Sequence, residues 1–132
     1  MIIKLASAKH IEYSKLISKL IDESAKNRGT GIARRSSVYI KEKILSGNSV
    51  IALDKKNFAG FCYIEAWEHG KYVAHSGLIV SPKYRNMGIG KKIKKKVLEL
   101  SLKKYPKSKI NGITTGMPVM KINYELGYRP AH

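Results

Sequence analysis

Gly77-Leu78-Ile79-Val80-Ser81-Pro82-Lys83-Tyr84-Arg85-Asn86-Met87-Gly88-Ile89-Gly90 runs from the end of an apolar strand, through a short loop, into a Gly-x-Gly that opens a lysine-rich helix. The strand reads from Tyr72 to Val80 and stops at Pro82, which has no N–H to give to a ladder. Such a junction binds anions. The first N–H groups of a helix have no partner inside it, the macrodipole adds about half a positive charge there, and glycines let a phosphate approach the main chain. A plain turn and helix cap remains an alternative for the Gly-x-Gly alone.

Working outward, the helix expected from Gly88 to about Lys104 places Ile89, Ile93, Val97, Leu98 and Leu100 on one face, with Lys92, Lys94, Lys95, Lys96 and Lys103 covering much of the rest. Pro106 closes it. A short strand from Lys109 to Thr114 and a last helix from Val119 to Leu126, ended by Gly127, complete the chain. Upstream, Ser49–Leu53 and Phe58–Trp67 are β-prone runs separated by the turn composition Asp54-Lys55-Lys56-Asn57, and Ile2–Leu5 reads as an edge strand. A first helix spans about Ala8 to Ala25, with Ile11, Leu16, Ile17, Leu20 and Ile21 on one face. A second runs from Ser36 or Ser37 to Leu45. The order is strand, two helices, three strands, helix, strand, helix.

The 132 residues contain neither repeat nor low-complexity linker, so one domain over 1–132 is expected. No apolar run is long enough to span a membrane and the N-terminus lacks a signal-peptide pattern, which predicts a cytoplasmic protein. Cys62, the only cysteine, reads as a core thiol. With 26 Lys and Arg against 9 Asp and Glu, the net charge of +17 suits any polyanion. A phosphorylated ligand such as coenzyme A, nucleic acid, or a lysine-rich background would each account for it. No nucleic-acid reader motif is present, so any such binding should be sequence-indifferent.

The string V-S-P-K-Y-R-N-M-G-I-G resembles the acyl-CoA signature of the GNAT superfamily, R/Q-x-x-G-x-G/A after a strand ending in valine, with Arg85, Gly88 and Gly90 at its core. The tail M-K-I-N-Y-E-L-G-Y-R-P resembles the family's later segment ending in L-G-F or L-G-Y, and the order of elements agrees over nearly the whole chain. The resemblance implies an α/β (α+β) fold: a mixed, mostly antiparallel sheet flanked by about four helices, with a splayed strand pair holding acyl-CoA and the last strand absent. It implies transfer of an acyl group, acetyl first, from acetyl-CoA or another acyl-CoA to a primary amine, without a covalent enzyme intermediate and without a metal. Leu78 and Val80, with Ile79 between them, would offer main-chain bonds to pantetheine, and Arg85, Asn86, Met87, Gly88, Ile89, Gly90 and Lys91 would surround the pyrophosphate. The N–H of Leu78 would receive the oxyanion.

The base and acid depart from the family pattern. Some relatives carry a glutamate four residues before the position of Leu78, where this chain has Ala74, so Glu65 and His75 are the nearest titratable alternatives. Many carry a tyrosine four residues before the final glycine. That position is Asn123, with Tyr124 one residue nearer Gly127, and a one-residue shift turns a helical side chain by about 100°. Asn123 is therefore expected to face the cofactor, and Tyr124 is the alternative proton donor.

In R-G-T-G-I-A-R-R, Arg28, Arg34 and Arg35 suit a substrate carboxylate, although a basic surface turn has the same composition. This loop, G-F-C-Y-I-E-A-W and T-T-G-M-P-V-M-K-I-N also resemble a bacterial GNAT group associated with arginine biosynthesis, which suggests glutamate or a related amine as acceptor. That group continues into a longer cysteine-containing tail. The competing reading is a non-catalytic module that binds acyl-CoA or nucleic acid. The acyl group, the acceptor and the oligomeric state, monomer or oligomer, stay open.

Overall fold

A computed structural model describes residues 1–27, 36–67, 72–106 and 109–112. In chain order these form β1 (Ile2–Leu5), a 3-10 segment (Ala8–Tyr13), α1 (Ser14–Asn27), α2 (Ser37–Leu45), β2 (Ser49–Asp54), β3 (Asn57–Trp67), β4 (Tyr72–Val80), a second 3-10 turn (Pro82–Tyr84), α3 (Ile89–Lys104) and β5 (Lys109–Gly112). The strands form one sheet in the order β1-β2-β3-β4-β5. All neighbours are antiparallel except β4 and β5, which pair in parallel across the crossover through α3.

Side chains alternate between two cores because successive strand residues point to opposite faces. One core joins Val50, Ala52, Cys62, Ile64 and Val73 to Ile89, Ile93, Val97 and Leu100 of α3. The other joins Ile51, Phe58, Phe61, Tyr63 and Ile79 to Ile17 of α1 and Ile40 and Ile44 of α2. Each helix therefore packs because its apolar stripe meets one parity of strand residues. Cys62 is fully buried, as expected for a core thiol, and burial raises its pKa.

Two local expectations need correction. The first helix does not begin at Ala8: Ala8–Tyr13 is a 3-10 segment in which the Ser7 N–H donates to His10 Nδ1 at 2.9 Å, a local bond that anchors the tighter turn before α1. Lys94, expected on the solvated side of α3, is 1% exposed. It lies one position after Ile93 and three before Val97, so the helical period carries it inward with them. The expected helix at 119–126 lies outside the described residues, as do residues 113 and 114 of the expected last strand.

Candidate active site on β4

β4 pairs with β5 from Tyr72↔Lys109 to His75↔Gly112, the last described residue of β5, and itself runs on to Val80. On its other side, Phe61 pairs with Ile79 and Tyr63 with Ser76, so two steps on β3 answer three on β4. The extra residue is a β-bulge at Gly77 and Leu78, and Gly77 adopts φ +65°. A bulge takes main-chain groups out of the ladder and re-aims them. Leu78, expected to donate to the oxyanion, sits in it.

Beyond Val80 the chain is held at its base and open at its tip. Ser81 N–H donates to Ala59 O at 2.8 Å, and the buried Tyr84 donates its hydroxyl to Asp54 Oδ2 at 2.9 Å, tying the loop to the β2–β3 hairpin. Arg85 folds back so that its Nε donates to Val80 O at 3.3 Å. Arg85, Asn86, Met87 and Gly88 are exposed, whereas Ile89 is buried and pins the start of α3 in the core.

Asn86 and Gly88 both have left-handed φ, at +65° and +75°. Gly88 caps α3, its carbonyl accepting the first helical bond from Lys92 N–H at 3.3 Å. A Cβ built on Gly88 would meet nothing within 4 Å. The helix N-terminus thus opens onto free space beside a residue without a side chain, and Lys91, Lys92, Lys95 and Lys96 stand exposed along the first turns of α3. These residues fit a pyrophosphate: backbone donors, helix dipole and cationic side chains converge with no methyl group in the way. Of the stretch Arg85 to Lys91, Arg85 to Gly88 and Lys91 are exposed, while the Ile89 side chain is turned into the core.

The two candidate bases lie on opposite faces of the sheet. His75 faces α3, where it is 1% exposed and its Nε2 lies 2.6 Å from Ser101 Oγ. Desolvation first, and the Lys94 ammonium second, lower its pKa to about 3, so it stays neutral. Its position makes it a structural histidine. Glu65 is half-buried on the face of α1 and α2, the face that Tyr63 also occupies. It pairs directly with Ala74 across the β3–β4 ladder. Cross-strand partners share a face with Cβ atoms about 5 Å apart. Glu65 therefore brings a carboxylate beside the strand position of Ala74, and the small alanine leaves it room.

Three residues of this face escaped the sequence reading. The Tyr39 hydroxyl of α2 donates to the Glu65 carboxylate. The Tyr39 and Tyr63 rings meet edge to face at 5.7 Å between centroids. Lys43 Nζ donates to Ile64 O at 3.0 Å and lies 5.5 and 5.7 Å from the two ring centroids. Only the 3.6-residue spacing of Tyr39, Lys43 and the core residues Ile40 and Ile44 hinted that α2 turns them toward the sheet. Arg28, Arg34, Arg35, Asn123 and Tyr124 lie outside the described residues. No group of His, Cys, Asp and Glu suited to a metal occurs among the described residues, and no described helix is long and apolar enough to cross a membrane.

Residues 21–115 match the family described as Acetyltransferase (GNAT), and the chain belongs to that family. Among curated proteins no relative matches this sequence. Solved structures share the fold. A Thermoplasma acidophilum protein proposed to be an acetyltransferase superposes with TM-score 0.70 at 18% identity, covering 96% of this chain and 52% of that one. N-acetylglutamate synthase from Neisseria gonorrhoeae, in complex with coenzyme A and N-acetyl-glutamate, gives 0.75 at 19% identity, covering 99% of this chain and 28% of that one. The yncA protein of Salmonella typhimurium, solved with its cofactor acetyl-CoA, gives 0.73 at 15%, covering 96% and 78%. At these identities the likeness establishes the fold. The chain spans about half the length of the Thermoplasma protein and just over a quarter of the synthase.

Proposed function

We propose that this protein transfers an acyl group, acetyl first, from acyl-CoA to the primary amine of a small acceptor, with an amino acid such as glutamate as the leading candidate. The observation that carries the reading is the alignment along β4: a main-chain bulge at Gly77 and Leu78, followed by an open, left-handed glycine at the N-terminus of α3. Bound acyl-CoA supplies the activated thioester. The cradle from Arg85 to Lys91 would hold its phosphates, and Leu78 and Val80 would offer main-chain partners to its pantetheine arm.

The chemistry needs little more. The amine nitrogen attacks the thioester carbonyl carbon, the C–S bond breaks, and the amine's proton passes by water to the Glu65 carboxylate. The Leu78 N–H would stabilise the tetrahedral oxyanion, and Asn123 or Tyr124 would assist the departing thiolate. Arg28, Arg34 and Arg35 would receive the carboxylate of the acceptor. The complex of the Neisseria synthase with N-acetyl-glutamate supports glutamate as the first acceptor to test. A cytoplasmic location belongs to the same proposal.

Thiol release measured with a dye tests this, using acetyl-CoA or succinyl-CoA with glutamate and its diamide at equal concentration. Glutamate should react faster, because guanidinium forms charge-assisted bonds with a carboxylate and not with an amide. One of the Arg28→Gln, Arg34→Gln or Arg35→Gln variants should lower kcat/KM for glutamate by about 2 kcal/mol or more, with the acetyl-CoA constant unchanged. Equal rates for both acceptors would remove the carboxylate from the proposal. Absence of turnover with every amine would leave an acyl-CoA-binding module.

The exposed lysines Lys91, Lys92, Lys95, Lys96 and Lys103 of α3 favour a second reading, a sequence-indifferent contact with nucleic acid. Such binding should fall steeply between about 50 and 200 mM salt, whereas acyl-CoA binding should fall less.

A further inference from the structure

We propose that Tyr39 is a positioning residue for acyl transfer: its hydroxyl holds the Glu65 carboxylate in place, and the Tyr63 ring that supports it also backs the bulge carrying Leu78. This rests on the reading of Glu65 as the base.

Tyr39 lies near the start of α2, three residues after the helix cap Ser36, whose side chain accepts from the Tyr39 N–H at 3.1 Å. Its backbone is thus set by the cap and its hydroxyl by Glu65, 26 residues away. Between those two points the ring lies edge-on to Tyr63. Tyr63 is fully buried, and the edge of its ring stands 2.2 Å from where a Cβ on Gly77 would be. The Tyr63 ring therefore fills the space that any side chain at 77 would need. Tyr39, Tyr63 and Gly77 form a column from α2 through β3 to the bulge of β4, with Glu65 beside its first member.

The surroundings of Glu65 explain why such a hold matters. From α2 it receives the Tyr39 hydroxyl, while the Lys43 ammonium is bonded to Ile64 O and lies near both rings. From β3 it has Tyr63, and from β4 it has Ala74 opposite, with Tyr72 and Ser76 one pair away on either side. α1 turns apolar Ile17, Leu20 and Ile21 to this core. A carboxylate on the extended side chain of glutamate has several rotamers on such a face, and one directional donor selects among them.

Wild type, Tyr39→Phe, Glu65→Gln and the double variant would be compared by thiol release with acetyl-CoA. The amine would be whichever of L-glutamate, L-glutamine, L-lysine and putrescine wild type acetylates fastest. Tyr39→Phe keeps the ring on Tyr63 and removes only the hydroxyl. It should lower kcat about tenfold while leaving the KM for acetyl-CoA unchanged. In the Glu65→Gln background it should cause no further loss, because the two act as one unit. A merely structural tyrosine would lower Tm without changing kcat, and that result overturns the proposal. So does a loss of kcat that multiplies with that of Glu65→Gln. If Glu65→Gln itself retains wild-type kcat, the base assignment falls and the role of Tyr39 falls with it. If Glu65→Gln is crippled and Tyr39→Phe is not, only the role of Tyr39 falls. Turnover of none of the four amines overturns both.

Discussion

Gly77 and Gly88 have nearly the same left-handed backbone, φ +65° and +75°, and opposite surroundings. At Gly77 the missing side chain is replaced by the Tyr63 ring, whereas at Gly88 it is replaced by open space. The same dihedral thus serves two ends. The first glycine lets two elements of the core touch and lets β4 bulge. The second turns the chain into α3 and keeps the helix N-terminus accessible. A left-handed glycine points to a ligand where space is left in front of it, and to packing where a neighbour fills that space.

The largest contrast should come from alanine at these two positions. Gly77→Ala combines backbone strain of about 1–2 kcal/mol with an overlap that the buried Tyr63 can relieve only by moving, about 1–3 kcal/mol more. A loss of about 3 kcal/mol in urea unfolding is expected. Gly88→Ala should cost only the backbone strain, about 1 kcal/mol. Equal losses at the two sites would end the distinction.

The opposite faces of β4 provide the next test. Burial and Lys94 hold the folded His75 pKa near 3, against its ordinary 6.5. Between these values the unfolded chain binds the proton and the folded one does not, so stability rises with pH across this window. Stability should therefore be complete above about pH 6.5 and decline as the pH falls toward 3. The slope approaches 1.4 kcal/mol per pH unit, a loss of about 2.5 kcal/mol by pH 4.5. His75→Gln should flatten this slope when unfolding is measured at several pH values. An unchanged slope would show that His75 is not the group responsible.

A smaller effect is expected where the glycine faces outward. Gly88→Val should weaken acyl-CoA binding by about 2 kcal/mol, roughly thirtyfold, because its side chain stands in front of several backbone donors. Calorimetry on protein shown to be folded measures this directly. Unchanged affinity would separate the open glycine from the ligand.

The stretch proposed to hold the acyl donor could be read from the sequence because it is contiguous. Arg85 to Lys91 are neighbours in sequence, and their chemistry is that of backbone and helix terminus, which depends on local order alone. The face proposed to take the acceptor could be read only in part. Glu65 was recognisable as a carboxylate on an otherwise apolar strand, but Tyr39 was not, because the two are 26 residues apart and meet only when α2 packs on the sheet. Periodicity likewise placed Lys94 on the solvated side, since a lysine counts as polar in any pattern, yet the turn of α3 buried it against the sheet.

By itself the sequence determined the element order as far as β5 and the β4 loop with its glycines, because apolar period and turn chemistry are local properties. Only the tertiary structure decided that His75 and Glu65 occupy opposite sides of the sheet and that β4 bulges at Gly77 and Leu78. It also decided that one glycine is closed by an aromatic ring while the other stays open. These depend on strand register and helix docking, and a shift of one residue in register would exchange every side chain between the faces.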